Sequence, residues 1–150
     1  MARTEELRQL ETFIDKFSPE IAARTRIEVQ RMRELLPVAI ELVYDNYNAL
    51  AIGFGPSESA SEVIFSLAVY PRWVTLFFLQ GTKIADPEKL LCGNGSQVRH
   101  IRLLDPNLLL SPEVRALMLQ ALKMARVPLS ALARHRIVIK SVSAKQRPRR

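Results

Sequence analysis

The feature that most constrains this chain is a series of short apolar runs, rich in β-branched and aromatic residues, that extends from residue 38 to residue 104. These runs predict strands near 39–45, 48–54, 62–70, 73–80 and 98–104. They are separated by turn-forming residues, as at Pro71-Arg72. Because a parallel crossover needs a dozen or more residues, strands joined by short links are antiparallel. The sequence therefore predicts an antiparallel meander.

Helices are predicted on both sides of the meander. Apolar residues spaced by three and four predict an amphipathic helix over residues 4–17. The triplets at 18–20 and 111–113 both read Ser-Pro-Glu, which combines an N-cap oxygen, a proline suited to the first turn and an acid that favours the helix dipole. They predict helices over 19–36 and 111–125, with the arginines of the first of these in solvent.

The rest of the chain completes one α+β domain over residues 1–143. A short helical stretch is predicted at 129–134 and a last strand at 136–142, on the edge of the sheet. The expected fold is an antiparallel sheet of five or six strands, packed by the N-terminal helices and one C-terminal helix. Residues 144–150 are basic and have nothing to bury, so we expect them to be disordered.

The net charge of +7 is concentrated at one end of the chain. From Arg126 onward there are 8 basic residues and no acidic ones, which leaves a net charge of −1 before it. Nucleic-acid association is therefore expected only through the basic tail, whose candidate residues are Lys145, Arg147, Arg149 and Arg150. No apolar run approaches the roughly 20 residues that span a bilayer, and we expect a cytoplasmic protein without a membrane partner.

The sequence contains no motif that would assign a catalytic reaction. Cys92 is the single cysteine and cannot form an internal disulfide, and the glycines at 93 and 95 do not match a phosphate-binding loop. The two histidines are too few for a histidine-rich metal site. We therefore predict no catalytic residue and no cofactor, and the residues favour a binding protein over an enzyme.

Three blocks of the chain resemble the bacterial YdhG-like family, whose function is unknown. They are VYDNYNAL at 43–50, SLAVYPRWV at 66–74 and GSQVRHIR at 95–102, and the resemblance extends from about residue 13 to 142. It implies an α+β fold with an antiparallel sheet, grouped with frataxin-like proteins, some of which are described as iron chaperones. Iron is thus implied by the resemblance alone. Glu11 and Asp15, four residues apart, would be its weak ligands, and a solvated helix face is the alternative.

Polar and aromatic residues near the predicted strand ends form the candidate ligand site. They are Tyr44, Asp45, Tyr47, Asn48, Arg72, Trp73, His100 and Arg102. Strand alternation places His100 and Arg102 on one face of the sheet. The alternative is that these residues have structural roles only, with those at 44–48 forming a turn and Trp73 packing in the fold.

The sequence leads to the hypothesis of a non-enzymatic binding or adaptor domain. The exposed sheet face would recognise a small anionic ligand or a protein partner, or would be buried in a homodimer, because aromatic residues and arginine are enriched at interfaces. Frataxin-like iron binding is the second hypothesis, and nucleic-acid association through the tail is the third.

Overall fold

The computed structural model describes residues 4–150 and shows three helices and a six-stranded sheet. The helices are α1 (Glu5–Ile14), α2 (Pro19–Leu35) and α3 (Pro112–Met124). The strands are β1 (Ile40–Asp45), β2 (Leu50–Gly55), β3 (Phe65–Val69), β4 (Val74–Phe78), β5 (Arg99–Arg102) and β6 (Ile137–Val142). The α+β class predicted from the sequence is confirmed. Among the described residues, none of the helices is long and apolar enough to cross a membrane.

Each helix begins where a side-chain oxygen accepts a hydrogen bond from the first turn. The Thr4 hydroxyl accepts from the backbone N–H of Leu7, 3.1 Å away. Ser18 and Ser111 do the same for α2 and α3, each over 3.3 Å, and each is followed by proline. The two Ser-Pro-Glu signals therefore mark helix starts, as predicted.

The strand order is β5-β4-β3-β2-β1-β6. Strands β1 to β5 pair as an antiparallel meander. The sixth strand differs from the predicted arrangement because it pairs parallel to β1 at the edge, with Glu41 opposite Ile137. The chain between β5 and β6 contains α3 and crosses the whole sheet, and such a long crossover permits a parallel pair. The sheet is therefore mixed, although mostly antiparallel.

All three helices pack on one face of the sheet. The apolar cluster that contains their buried residues takes alternate strand positions only, such as Val43, Ile52 and Leu67. Phe65 and Phe78 meet edge to face inside it, with ring centroids 5.5 Å apart. The opposite face of the sheet carries none of these three helices, although Glu62 and Val63 cover it at Gly53 and Gly55, and we call it the outer face.

Two tight turns lie side by side at one end of the sheet, which we call the upper end. The first has Tyr47 and Asn48 at its tip and is closed by a hydrogen bond from the Asn46 N–H to the Ala49 carbonyl, over 3.0 Å. The second is the predicted Pro71-Arg72 turn, closed from the Tyr70 N–H to the Trp73 carbonyl over 2.9 Å. Because β2 pairs with β3, the two turns are neighbours.

Two segments near the C-terminus differ from the prediction. Residues 129–134 form a turn rather than a helix, closed from the Ala133 N–H to the Ser130 carbonyl, and Leu132 is 94% exposed. A stretch this short with no buried apolar face gains too little to nucleate a helix. Residues 144–150 were expected to be disordered, but they lie against the upper end of the sheet. Arg149 is only 5% exposed there.

Candidate binding surface

The outer face of the meander is flat in the middle and bounded by large side chains. One row of paired residues runs across five strands, from Tyr44 through Ala51, Ala68 and Thr75 to Arg102. The small side chains lie on the central strands, and the large ones lie on β1 and β5. Among the described residues of β1 to β5, no outward position is acidic. The strand positions of this face are therefore neutral to positive.

Three residues at the upper end of this face form what we call the Trp73 cluster: Tyr70, Trp73 and Arg102. The guanidinium carbon of Arg102 lies 3.9 Å from the centroid of the Trp73 ring, in the geometry of a cation–π contact. The rings of Tyr70 and Trp73 are 6.4 Å apart. His100 lies two residue pairs below Arg102 on the same face, with its ring 5.3 Å from that of Phe77. His100 and Arg102 thus share the outer face, as alternation predicts.

The two arginines of this region have no acidic partner. Arg72 lies at the tip of its turn and Arg102 on the edge strand, and both are exposed. Within residues 4–150, neither guanidinium forms a salt bridge. Their hydrogen-bond donors are thus free to meet an anion, for which arginine has a suitable planar geometry.

The first turn supplies a second aromatic residue beside an arginine. Tyr47 is 47% exposed, and the guanidinium carbon of Arg147 lies 5.6 Å from its ring centroid. We call these two residues the Tyr47 pair. Between this pair and the Trp73 cluster lies a groove of about 570 Å³, lined by Asn48, Tyr70, Pro71, Arg147 and Pro148. The groove opens at the upper end of the outer face.

Tyr44 occupies the β1 end of the outer row. Its side chain is partly buried, and its hydroxyl is fully buried and has no hydrogen-bond partner among the described residues. A buried hydroxyl without a partner costs free energy, and because this hydroxyl is buried, Tyr44 does not contribute an accessible polar group to the outer face.

Asp45, predicted as a wall of the ligand site, lies on the opposite side of the sheet and is fully buried. Lys16 Nζ is 2.6 Å from Oδ2, and Arg149 Nη2 is 2.9 Å from Oδ1. Burial raises the pKa of the Asp45 carboxyl, but hydrogen bonds from Lys16, Gln146 and Arg149 outweigh it and hold the pKa below its ordinary value. Asp45 is a structural anion, because alternation along β1 directs it toward the helices while Tyr44 points outward.

The four basic residues predicted for nucleic-acid contact differ in their availability. The Arg149 guanidinium also bonds to the Asn46 carbonyl and lies over the Phe17 ring, so it is committed to the fold. Arg150 donates to the backbone carbonyls of Lys16 and Asp15. Lys145 and Arg147 are exposed. The segment is ordered because a buried carboxylate pairs with it, a contact that composition alone could not reveal.

Glu11 and Asp15, the weak candidate metal ligands chosen for their four-residue spacing, do lie close together. Arg26 joins them, with Nε 2.7 Å from Glu11 and Nη2 2.5 Å from Asp15. An iron ion would have to displace this guanidinium. In the part of the chain that the structure describes, no group of three or more His, Cys, Asp or Glu residues could hold a metal ion.

Tyr70, Phe77 and the contact between Tyr47 and Arg147 were not among the features predicted from the sequence. Tyr70 could have been found, because it closes the Pro71-Arg72 turn opposite Trp73. The Tyr47 pair joins positions a hundred residues apart in the chain. No local pattern indicates such a contact.

Comparisons of this chain with protein-family models, with curated proteins and with solved structures find no match. The geometry described above is therefore the basis for a functional assignment.

Proposed function

We propose that this domain binds, without catalysing a reaction, a small ligand that joins a planar ring to an anionic group, and that it does so at the Trp73 cluster. The observation that carries the proposal is the Arg102 guanidinium stacked 3.9 Å from the Trp73 ring without an acidic partner in residues 4–150. An aromatic platform favours a flat ligand, and an unpaired guanidinium favours an anion.

The charge around the cluster supports an anionic ligand. Arg72 and Arg102 lie at the same upper end of the sheet, and outward positions on the described strands β1 to β5 carry no carboxylate. The nearby Asp45 carboxylate faces the helices and is balanced by Lys16 and Arg149. Glu20 on α2 lines a small pocket together with Arg72 and Trp73, so the acid-free part of the surface is the outer side of the cluster. An anion bound there gains donors from Arg102.

A protein partner, or a second copy of the chain, is the alternative occupant, since exposed aromatic residues and arginines also form interfaces. The two occupants differ in size. A small ligand needs only the Trp73 cluster, whereas an interface of ordinary size covers about 800 Å² on each partner. Light scattering of the purified protein separates them.

Trp73 is the single tryptophan of the chain, so its fluorescence reports directly on this site. We expect adenosine monophosphate to change the emission with a saturable curve, and to bind more tightly than adenosine or inorganic phosphate. Adenosine lacks the anion and phosphate lacks the ring, so each makes only one of the two contacts.

The matched variants are Arg102→Ala and Arg115→Ala. Both remove one exposed arginine, but Arg115 lies on α3, on the other side of the sheet. We expect only Arg102→Ala to weaken mononucleotide binding, by about tenfold. An emission that does not respond to the mononucleotide, or equal losses in the two variants, would contradict the proposal.

A further inference from the structure

The upper end of the sheet presents the same chemical unit twice. In the Trp73 cluster and in the Tyr47 pair, a guanidinium lies against an aromatic ring, at 3.9 Å and 5.6 Å respectively. The groove between them is lined by Asn48, Tyr70, Pro71, Arg147 and Pro148. A surface that repeats one unit suits a ligand that repeats the complementary unit.

The distance between the two units sets the size of the ligand. The Tyr47 turn joins β1 to β2, and Trp73 precedes β4. The tip of this turn lies between β1 and β2, two to three strand positions from β4, which is roughly 10–14 Å at about 4.8 Å per strand. One ring cannot contact both units, so a ligand that uses both must be a chain of ring-bearing units.

From this repetition we propose that the ligand is a short single-stranded nucleic acid, which lies across the upper end of the sheet with bases stacked on Trp73 and Tyr47. This inference rests on the proposed function, because it extends the ring-and-anion site at Trp73 to a second site. Aromatic platforms combined with a basic groove are the general means by which proteins hold unpaired strands.

Basic side chains near the two turns match the negative charge of a phosphate backbone that would cross the upper end of the sheet. Arg72, Arg102, Arg147 and Lys145 are exposed near the two turns, and among the described residues the groove lining contains no acid. Arg149 neutralises the buried Asp45 carboxylate that would otherwise repel phosphate. Each phosphate that is neutralised releases counterions, which adds affinity and makes it depend on salt.

An unpaired strand fits this surface better than a duplex. Bases can stack on Trp73 and Tyr47 only if their faces are free, and in a duplex those faces are covered by neighbouring base pairs. A duplex would offer its phosphates alone. The proposed binding of an unpaired strand differs from association through a disordered basic tail, because Arg147 lies beside the Tyr47 ring and can act together with it.

The experiment is fluorescence anisotropy of the full chain with fluorescein-labelled oligothymidylates, from a mononucleotide to a dodecanucleotide. We expect the affinity to rise by at least about tenfold with length, because a second base reaches Tyr47. We also expect the affinity of the dodecanucleotide to fall with added salt, and to exceed the affinity for a duplex of the same length.

Tyr47→Ala and Tyr47→Phe form the decisive pair of variants. The Tyr47 carbonyl, not its side chain, accepts hydrogen bonds from Arg147 and Arg149, so both variants keep these contacts. We expect Tyr47→Ala to weaken dodecanucleotide binding by about tenfold, while Tyr47→Phe binds like the wild type. Mononucleotide binding at the Trp73 cluster, followed by Trp73 fluorescence, should be the same in both variants. Arg115→Ala serves as the charge control away from the surface.

The outcomes separate this inference from the function on which it rests. If the mononucleotide binds at Trp73 but affinity does not rise with length, or Tyr47→Ala has no effect, the strand proposal is overturned and the small-ligand site stands. If neither probe binds, both are overturned. Duplex binding as tight as single-strand binding, or a dimer that excludes the oligonucleotide, also overturns the strand proposal.

Discussion

The two faces of the sheet differ in whether their charged side chains are paired. On the helix side, Glu41 and Asp45 are fully buried. Asp45 contacts Lys16 and Arg149, and Glu41 contacts the Arg33 guanidinium and the His135 imidazole. On the outer face, the exposed Arg102 has no acidic partner within residues 4–150. A buried charge must be paired to be tolerated, so the helix side uses charge to specify the fold. The unpaired charge of the outer face is available to a ligand.

A third buried acid shows that pairing has to be close to be effective. Glu28 on α2 is fully buried, but Arg24 and Arg31 approach its carboxylate only to 3.5 Å. Burial therefore dominates and raises the pKa of Glu28, against the attraction of Arg24 and Arg31. The helix side thus contains both a well-paired and a poorly paired carboxylate, and their responses to pH differ in sign.

The largest expected effect on stability comes from removing the negative charge of Glu41. Arg33 binds both carboxylate oxygens, at 2.7 and 2.9 Å, and His135 contacts Oε2. We expect Glu41→Gln to lower the free energy of unfolding by about 3 kcal/mol at neutral pH, because it leaves the Arg33 guanidinium without its carboxylate partner. Urea denaturation measures this change. Glu34→Gln, on the exposed side of α2, is the matched control and should change little.

This loss should depend on pH in one direction. Burial raises the pKa of Glu41, but hydrogen bonds from Arg33 and His135 outweigh it and lower the pKa below its ordinary value of 4.5. The carboxylate therefore stabilises the fold above pH 4.5, and the contribution is lost as the pH falls through the folded-state pKa. A difference between wild type and Glu41→Gln that stays constant into acid would contradict this account.

A smaller loss is expected when Arg149 is removed from the other paired carboxylate. We expect Arg149→Ala to lower the free energy of unfolding by about 2 kcal/mol, since Asp45 keeps Lys16 but loses a buried charge-assisted hydrogen bond. Lys145→Ala, an exposed neighbour, is the control. Equal stabilities in thermal denaturation would mean that the C-terminal segment is not docked in solution.

Glu28 should give an effect of the opposite sign. We expect Glu28→Gln to raise the free energy of unfolding by about 1 kcal/mol at neutral pH, because it removes a poorly compensated buried charge. Since the pKa of Glu28 is raised, the protonated acid stabilises the fold at low pH, and this contribution is lost as the pH rises through the folded-state pKa. The gain should therefore disappear in acid, and a loss at neutral pH would refute it.

The smallest effect on stability is expected on the outer face. Arg102→Ala should change the free energy of unfolding by less than about 1 kcal/mol, because it removes one exposed cation–π contact. The same variant should reduce mononucleotide binding, as measured by Trp73 fluorescence. A large loss of stability without a loss of binding would place Arg102 with the structural charges and break the comparison between the faces.

The fold was largely predictable because its signals are local. Helix starts at Ser18 and Ser111, and the tight turn at Pro71-Arg72, depend on residues a few positions apart. The parallel pairing of β6 was not predictable, because it joins segments at opposite ends of the chain. The missing helix at 129–134 shows that composition without a buried face does not secure a helix.

The candidate surface was predictable only in part, for the same reason. Alternation correctly placed His100 and Arg102 together, but placing Asp45 in the ligand site would have required knowing that β1 directs it toward Lys16 and Arg149. The arginines of α2, expected in solvent, include Arg33, which binds the buried Glu41. An acid on a strand gives no local indication of a partner on another element.

The parallel pairing of β6 also affects how the chain is assembled during synthesis. Until translation reaches Val142, β1 has no neighbour on one side and remains an open edge, the kind of edge that invites pairing with other chains. Glu41 and Asp45 lie in that strand and meet His135 and Arg149 only after 94 and 104 further residues, respectively, have been made. Such distant contacts slow folding. The nascent domain therefore depends on its C-terminal segment both to cover the open edge of β1 and to complete the pairing of the Glu41 and Asp45 carboxylates.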